Sequence, residues 1–223
     1  MKIICHKLFA KHLAHPYVPM ILLLQMNYLA HAYLSFDEPD ILTGNIISDF
    51  VKGKTKHNYT EGIQKGIQLH RSIDTFTDNH PVTAKAKSFF RPRYRLYSGA
   101  FVDVAYDHFL ACDTDQFISY GNLENFSKHV YSSLEKYFDD MPPRFQFIFP
   151  HMKAHNWLYN YRLKEGIRKS FAGLAWRAVY LTESEIAFEI FNQYYNDLKD
   201  CYDEFFPDLK KFAHDNLSNL LAN

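Results

Sequence analysis

An all-α fold, a single-domain helical bundle, is what this chain predicts, on three observations. Apolar residues recur at spacings of three and four along most of its length. Glycine and proline are few, 8 and 9 in 223 residues, and no two-residue turn flanked by alternating runs signals a β-hairpin. The 47% hydrophobic composition, rich in Phe and Tyr, suffices for one substantial core, and no repeat or linker-like tract divides the chain.

The elements follow in order. Residues 1–25, MKIICHKLFAKHLAHPYVPMILLLQ, have little periodicity and are expected to be an upstream extension, the rival reading being a loosely packed N-terminal arm. Their apolar run, Met20–Leu24, is short for a signal-peptide core. Residues 26–223 are expected to form the single domain. Segment 26–34 is a short apolar lead-in. Asp37 is expected as N-cap, with Pro39 in the first turn, of a helix ILTGNIISDFV stopping near Gly53. Lys52 to Tyr59 reads as polar loop. A long helix runs from about Thr60 to Asp78, and Asp78 is a candidate cap for the next, which starts at Pro81 and ends by Arg91-Pro92-Arg93. Helices are expected at 97–111, 115–138, 144–161 and 163–179, with Met141-Pro142-Pro143 as a break. Thr182 and Glu185 have capping-box spacing and open the last amphipathic stretch.

Composition narrows function. Lys+Arg and Asp+Glu are equal at 25 each, which weighs against a nucleic-acid binder. No stretch approaches the roughly 18 apolar residues of a membrane helix. Cys5, Cys112 and Cys201 are far apart and form no CxxC, so neither a disulfide framework nor a zinc knuckle is expected, and a cytoplasmic location fits.

One segment departs from simple amphipathic logic. In IQLHRSIDTFTDNHP (residues 67–81), His70 and Asp74 follow Ile63 and Ile67 on one helical stripe. Ionisable groups on a buried stripe need a compensating partner. The arrangement recurs: Asn27 and His31, Asn45 and Asp49, and Asp103 and Asp107 are each four apart on otherwise apolar segments. Helices that present such pairs inward build metal sites in bundle cores. Imidazole with several carboxylates suits Mn²⁺, Mg²⁺ or Fe rather than structural zinc. Each residue alone has a plainer reading. His31 alone fits a satisfied core or cap histidine, and Asn45 could merely satisfy backbone near Gly44. His108 points about 100° away from the Asp103/Asp107 stripe and fits a core or supporting role. His151 and His155 have no carboxylate close by and read as surface or groove residues. The aromatic run FQFIF at 145–149 reads as core.

The motifs MNYLAHAYLS, LTGNIISDFVKG, GIQLHRSIDTFTDNHP and VDVAYDHFL, in this order and followed by PPRF at 142–145, resemble those of the acyl-carrier-protein phosphodiesterase (holo-ACP hydrolase) family. The resemblance starts at Met26 and is dense to about residue 113. It implies an all-helical fold related to HD-type metal-dependent phosphohydrolases. It implies hydrolysis of the phosphodiester between 4′-phosphopantetheine and a serine of acyl carrier protein, with Mn²⁺ as the metal. The chain departs from the wider HD pattern in that His70 is followed by Arg71, with the aspartate at Asp74.

On that reading His31, Asp49, His70 and Asp107 are expected as metal ligands, with Arg71, Asp74 and Asp103 as catalytic groups. The six histidine and carboxylate groups form one pool, and not all can touch one ion. Arg71 would pair with phosphate, or alternatively with a neighbouring carboxylate. The carrier protein substrate is acidic, and Lys52, Lys54 and Lys56 with Arg91, Arg93 and Arg95 are candidate docking cations. Two alternatives stay open: an HD-like hydrolase of a nucleotide or other small phosphoester, and a non-catalytic helical protein with a structural metal.

Overall fold

A computed structural model describes residues 28–177 and 183–222, of which 175–177 are described in backbone only. The expected extension over 1–25, Asn27 and the Thr182 cap lie outside these residues. Among the described residues there are eleven α-helices and no strand: α1 (Tyr28–Tyr33), α2 (Pro39–Ile47), α3 (Glu61–Asn79), α4 (Pro81–Tyr94), α5 (Ser98–Cys112), α6 (Tyr120–Glu135), α7 (Pro143–Ala154), α8 (Trp157–Asn160), α9 (Lys164–Arg177), α10 (Ser184–Gln193) and α11 (Tyr195–Ala222).

One continuous apolar core joins them. Phe101, Phe109, Phe171, Phe191 and Phe205 are fully buried, and Phe171 meets Phe101 and Phe191 edge to face with centroids 5.1 Å and 6.0 Å apart. Burial of each such ring contributes about 1.5–3 kcal/mol, and quadrupole-favoured ring contacts add about 0.5–1.5 kcal/mol. Helix α5 is the central element, because every residue from Val104 to Ala111 is buried. Within the FQFIF run, Phe145, Ile148 and Phe149 are core.

Helix ends differ from expectation in instructive ways. Asp37 is not the cap of α2: it has φ +64°, and its carboxylate accepts from His129 at 2.6 Å. Thr60 does cap α3, its hydroxyl accepting from the Ile63 N–H. Asp78 does not cap α4, because the His80 imidazole takes the Val82 N–H and Asp78 pairs with Lys87 at 2.7 Å. Pro92 lies inside the last turn of α4 rather than ending it. The expected loop at 52–59 contains a 3₁₀ helix, Gly53–Asn58. The expected helix at 115–138 starts only at Tyr120, capped by Ser119, and the one at 144–161 breaks at Asn156, which adopts a left-handed conformation.

The closest helix crossing positions the site. A Cβ on Gly44 of α2 would collide with the Ile63 carbonyl and lie 2.8 Å from the Ile67 nitrogen of α3. One on Gly66 would collide with the Ile41 carbonyl, and the Gly44 and Gly66 positions face each other. Only glycine at both positions lets the two backbones touch, setting Asn45 against the turn of α3 that carries His70.

Candidate metal centre

Three elements deliver the polar groups to one place. Short helix α1 carries His31. Its first turn is held by Asp107 of α5, whose carboxylate accepts the N–H of Leu29 at 3.0 Å and of Ala30 at 2.8 Å. These are the amides a helix start leaves unpaired. Helix α3 carries His70 and Asp74 one turn apart. Helix α2 ends at Ile47, and its tightening into the 3₁₀ turn Ser48–Phe50 swings Asp49 toward α3.

The imidazoles of His31 and His70 are buried and stacked, with centroids 4.0 Å apart and planes 18° from parallel. His31 Nε2 is 3.3 Å from Asp74 Oδ1, and His70 Nε2 is 3.1 Å from Asp74 Oδ2 and 3.5 Å from Asp49 Oδ1. The Nδ1 atoms face the other way: that of His31 meets Asn45 Oδ1 at 2.8 Å, and that of His70 meets the Asn45 carbonyl at 2.7 Å. His70 Nε2 is a buried nitrogen that meets neither carboxylate with hydrogen-bonding geometry. Ligand atoms of His31, His70 and Asp74 all lie within 4.8 Å of one another. Two imidazole nitrogens and a partly exposed carboxylate fit a divalent ion of the Mn²⁺, Fe²⁺ or Zn²⁺ type and leave room for water or substrate. Among the described residues no cysteine joins this group, unlike the sulfur-rich donor set of a structural zinc site.

The charges are strongly coupled. Burial would push the His70 imidazole down, but the adjacent Asp49 and Asp74 outweigh it and lift it to about 9. Burial would raise Asp74, yet the two imidazoles hold its carboxyl well below the usual range. The same balance, with His70 as main partner, keeps Asp49 low. Asp103 is the exception. Burial, reinforced by the charges of Asp74 and Asp78, pushes it up to about 8.

The structure therefore brings together His31, His70, Asp74 and Asp49, and places Asp103 within their field. Asp107, expected as a ligand, lies outside the group formed by His31, His70 and Asp74. Both its oxygens are engaged at the start of α1, fully buried. Burial pushes its carboxyl up, while the two N–H donors pull it down. Arg71 does not pair with a carboxylate: its guanidinium donates to the Val51 carbonyl at 3.2 Å, beside the Asp49 turn. His108 is a satisfied core histidine, bonded to the Tyr161 carbonyl and the Tyr195 hydroxyl. Arg93 is ion-paired with Glu183. Arg91 and Arg95 instead line a cavity of about 400 Å³ with Asp78, Lys87, Leu96 and Gly99. Lys52 and Lys54 are exposed at the start of the 3₁₀ helix that follows Asp49. The residue that sequence reasoning undervalued is Asn45. Its four-residue spacing from Asp49 was the available signal, but only the fold shows it touching both histidines.

Fold and site together define an all-helical protein with a two-histidine, carboxylate-rich centre suited to a divalent ion. The family model described as acyl carrier protein phosphodiesterase matches residues 26–209, and the chain belongs to that family. It is 32% identical over 188 residues to the acyl carrier protein phosphodiesterase of Yersinia pestis, covering 84% of this chain and 97% of the relative. It is 31% identical to that of Photorhabdus laumondii subsp. laumondii, covering 82% and 92%. It is 32% identical to that of Enterobacter sp. (strain 638), covering 82% and 94%. No solved structure matches the chain.

Proposed function

We propose that the protein hydrolyses the phosphodiester joining 4′-phosphopantetheine to the serine of holo-acyl carrier protein, releasing apo-carrier protein and 4′-phosphopantetheine. The observation that carries this reading is the convergence of His31, His70 and Asp74 in a chain of this family. These three residues would hold the ion, Mn²⁺ by preference. A divalent ion there supplies charge neutralisation to the phosphoryl oxygens and lowers the pKa of water. The arrangement, a histidine–carboxylate set across neighbouring helices, fits the HD-like relation read from the sequence.

The surrounding groups have complementary tasks. Asp49, about a third exposed and kept ionised by His70, takes the proton of the attacking water. Asp103, kept protonated near neutral pH, returns a proton to the departing serine oxygen. Two carboxyls pushed apart in pKa by their surroundings are how one site runs acid and base chemistry at once. Arg71 braces the Asp49 turn through Val51 and presents its remaining N–H groups to solvent beside it, where a phosphoryl oxygen can be met.

The carrier protein, an acidic partner, docks on cations flanking the centre. Arg91 and Arg95 line the cavity next to Asp78, one helical turn beyond Asp74, where Lys87 is held by Asp78, and Leu96 stands beside them 97% exposed. Lys52 and Lys54 are exposed just after the Asp49 turn. The pantetheine arm is uncharged beyond its phosphate, so cations around this cavity serve the protein side of the diester. A cytoplasmic site of action agrees with free Cys112 and Cys201. No described helix is long and apolar enough to cross a membrane.

Incubation of holo-carrier protein with the enzyme in ¹⁸O-water, followed by mass spectrometry of both products, tests the reaction. The carrier should lose its prosthetic group, and the label should appear in the phosphate of released 4′-phosphopantetheine. An intact carrier, or an unlabelled product, would overturn the proposal.

A further inference from the structure

The hydrogen bonds behind the two imidazoles carry one step more. We infer that Asn45 is the positioning residue that sets both His31 and His70 to coordinate through Nε2, acting on one with its side chain and on the other with its backbone carbonyl. The inference rests on the ion-site reading above.

The amide orientation of Asn45 follows from its neighbours. Its Nδ2 faces the His31 carbonyl at 2.9 Å and Ser35 Oγ at 3.1 Å. A carbonyl can only accept, so the group facing it must be the NH₂. Ser35 gives its own proton to the same His31 carbonyl at 2.8 Å, which leaves its lone pairs for Nδ2. Exchanging the amide oxygen and nitrogen would set oxygen against oxygen in a fully buried place. The oxygen that remains, Oδ1, therefore faces His31 Nδ1 at 2.8 Å, and that nitrogen must carry the hydrogen.

The second ring is locked by the same residue. His70 Nδ1 lies 2.7 Å from the Asn45 carbonyl oxygen, again an acceptor only. That carbonyl is available because α2 ends at Ile47, and the last carbonyls of a helix have no partner within it. Gly44 and Gly66 bring it within reach by letting α2 and α3 touch. A neutral imidazole with hydrogen on Nδ1 has its lone pair on Nε2. Both Nε2 lone pairs then point toward Asp74. Partners of this kind fix the tautomer and ring direction of metal-binding histidines, and their removal costs about 10–100-fold in metal affinity.

The test compares wild type with Asn45→Leu and Ser35→Ala. Mn²⁺ affinity is measured by calorimetry, folding by circular dichroism and Tm of the metal-free forms, and tautomers by ¹⁵N histidine spectra of the Zn²⁺-loaded protein. Asn45→Leu should bind Mn²⁺ about 10–100-fold more weakly. Ser35→Ala, which takes one acceptor from Nδ2 but leaves Oδ1 in place, should lower Tm and leave Mn²⁺ affinity unchanged. A merely structural network would move Tm in both variants and affinity in neither. Wild-type spectra should show both rings with hydrogen on Nδ1, a reading that stands even if Asn45→Leu does not fold. Hydrogen on Nε2 of either ring, or wild-type Mn²⁺ affinity in folded Asn45→Leu, overturns the role of Asn45. Wild-type protein that binds no Mn²⁺ overturns the ion site itself.

Discussion

The imidazoles of His31 and His70 lie stacked 4.0 Å apart, with their Nε2 edges turned to the same carboxylate, Asp74. Two rings that are both cationic would repel in this arrangement, a cost set against the attraction of Asp74 and Asp49. A divalent ion held by His31, His70 and Asp74 would relieve that repulsion. His70→Ala should therefore lower turnover by at least about 100-fold, of the order a Lewis acid supplies. The variant should keep its helical circular dichroism, because removing a buried ionisable group also removes its desolvation cost. Near-normal turnover in a folded variant would remove His70 from the site.

The contact between α2 and α3 predicts an unusual sign for a helix substitution. Alanine in place of glycine inside a helix ordinarily stabilises by up to about 1 kcal/mol. At Gly44 the new methyl meets backbone of α3, which cannot move aside as a side chain can. Overpacking of this kind costs about 1–3 kcal/mol, so Gly44→Ala should lower Tm by several degrees. It should weaken Mn²⁺ binding too, by pushing the Asn45 carbonyl off His70. Thermal melts and calorimetry on one preparation decide both; an unchanged Tm contradicts the crossing.

Asp103 makes stability depend on pH. Its folded pKa, about 8, is raised above the ordinary carboxyl value. Such a group contributes stability that is fully present below its unfolded pKa, about 3.9, and is lost as pH rises through 8. In metal-free protein Asp103→Asn should therefore raise Tm at pH 8 and change it little at pH 4, each 1 kcal/mol appearing as about 2–4 °C. Turnover should fall by about 10²–10⁴-fold, because the amide cannot protonate the leaving oxygen. Equal Tm shifts at both pH values would place the carboxyl in an ordinary environment.

Docking predicts a split between substrates. Arg91→Glu with Arg95→Glu should raise KM for holo-carrier protein and spare kcat, more so at low salt, because exposed charges act chiefly on association. A small phosphodiester that never reaches the cavity should be cleaved as before. Parallel losses on both substrates would mean damage to the site itself. Arg93→Glu serves as the contrast, since Arg93 is committed to Glu183.

The helical fold was legible because apolar spacing reports directly on buried faces, as Ile63, Ile67 and His70 on α3 show. The convergence of His31, His70, Asp74 and Asp49 was legible as pairs on separate segments. What each pair does was not. Asp107 and Asp103 share one helix face, yet Asp107 spends its oxygens on amides 77 and 78 residues away in sequence. No local pattern encodes such a contact. Asn45 was hidden for the same reason, since its weight comes from a helix crossing that needs not only its neighbour Gly44 but also Gly66 on another helix. Asp49 was expected on a helix, and the 3₁₀ tightening after Ile47 changes its direction by a turn geometry that spacing alone does not resolve. Capping was misjudged at Asp37 and Asp78 because each carboxylate finds a cation elsewhere, in His129 and Lys87.

Hydrolysis should run at the ion site formed by His31, His70 and Asp74. This is tested most directly by stripping metal from the wild-type protein, confirming its absence by elemental analysis, and titrating Mn²⁺ back while following 4′-phosphopantetheine release from holo-carrier protein. The stripped protein should give no release, and recovery should rise in step with bound Mn²⁺, with Asp74→Asn failing to recover at the same concentrations. Full release by metal-free protein, or recovery that ignores the loss of Asp74, would contradict it.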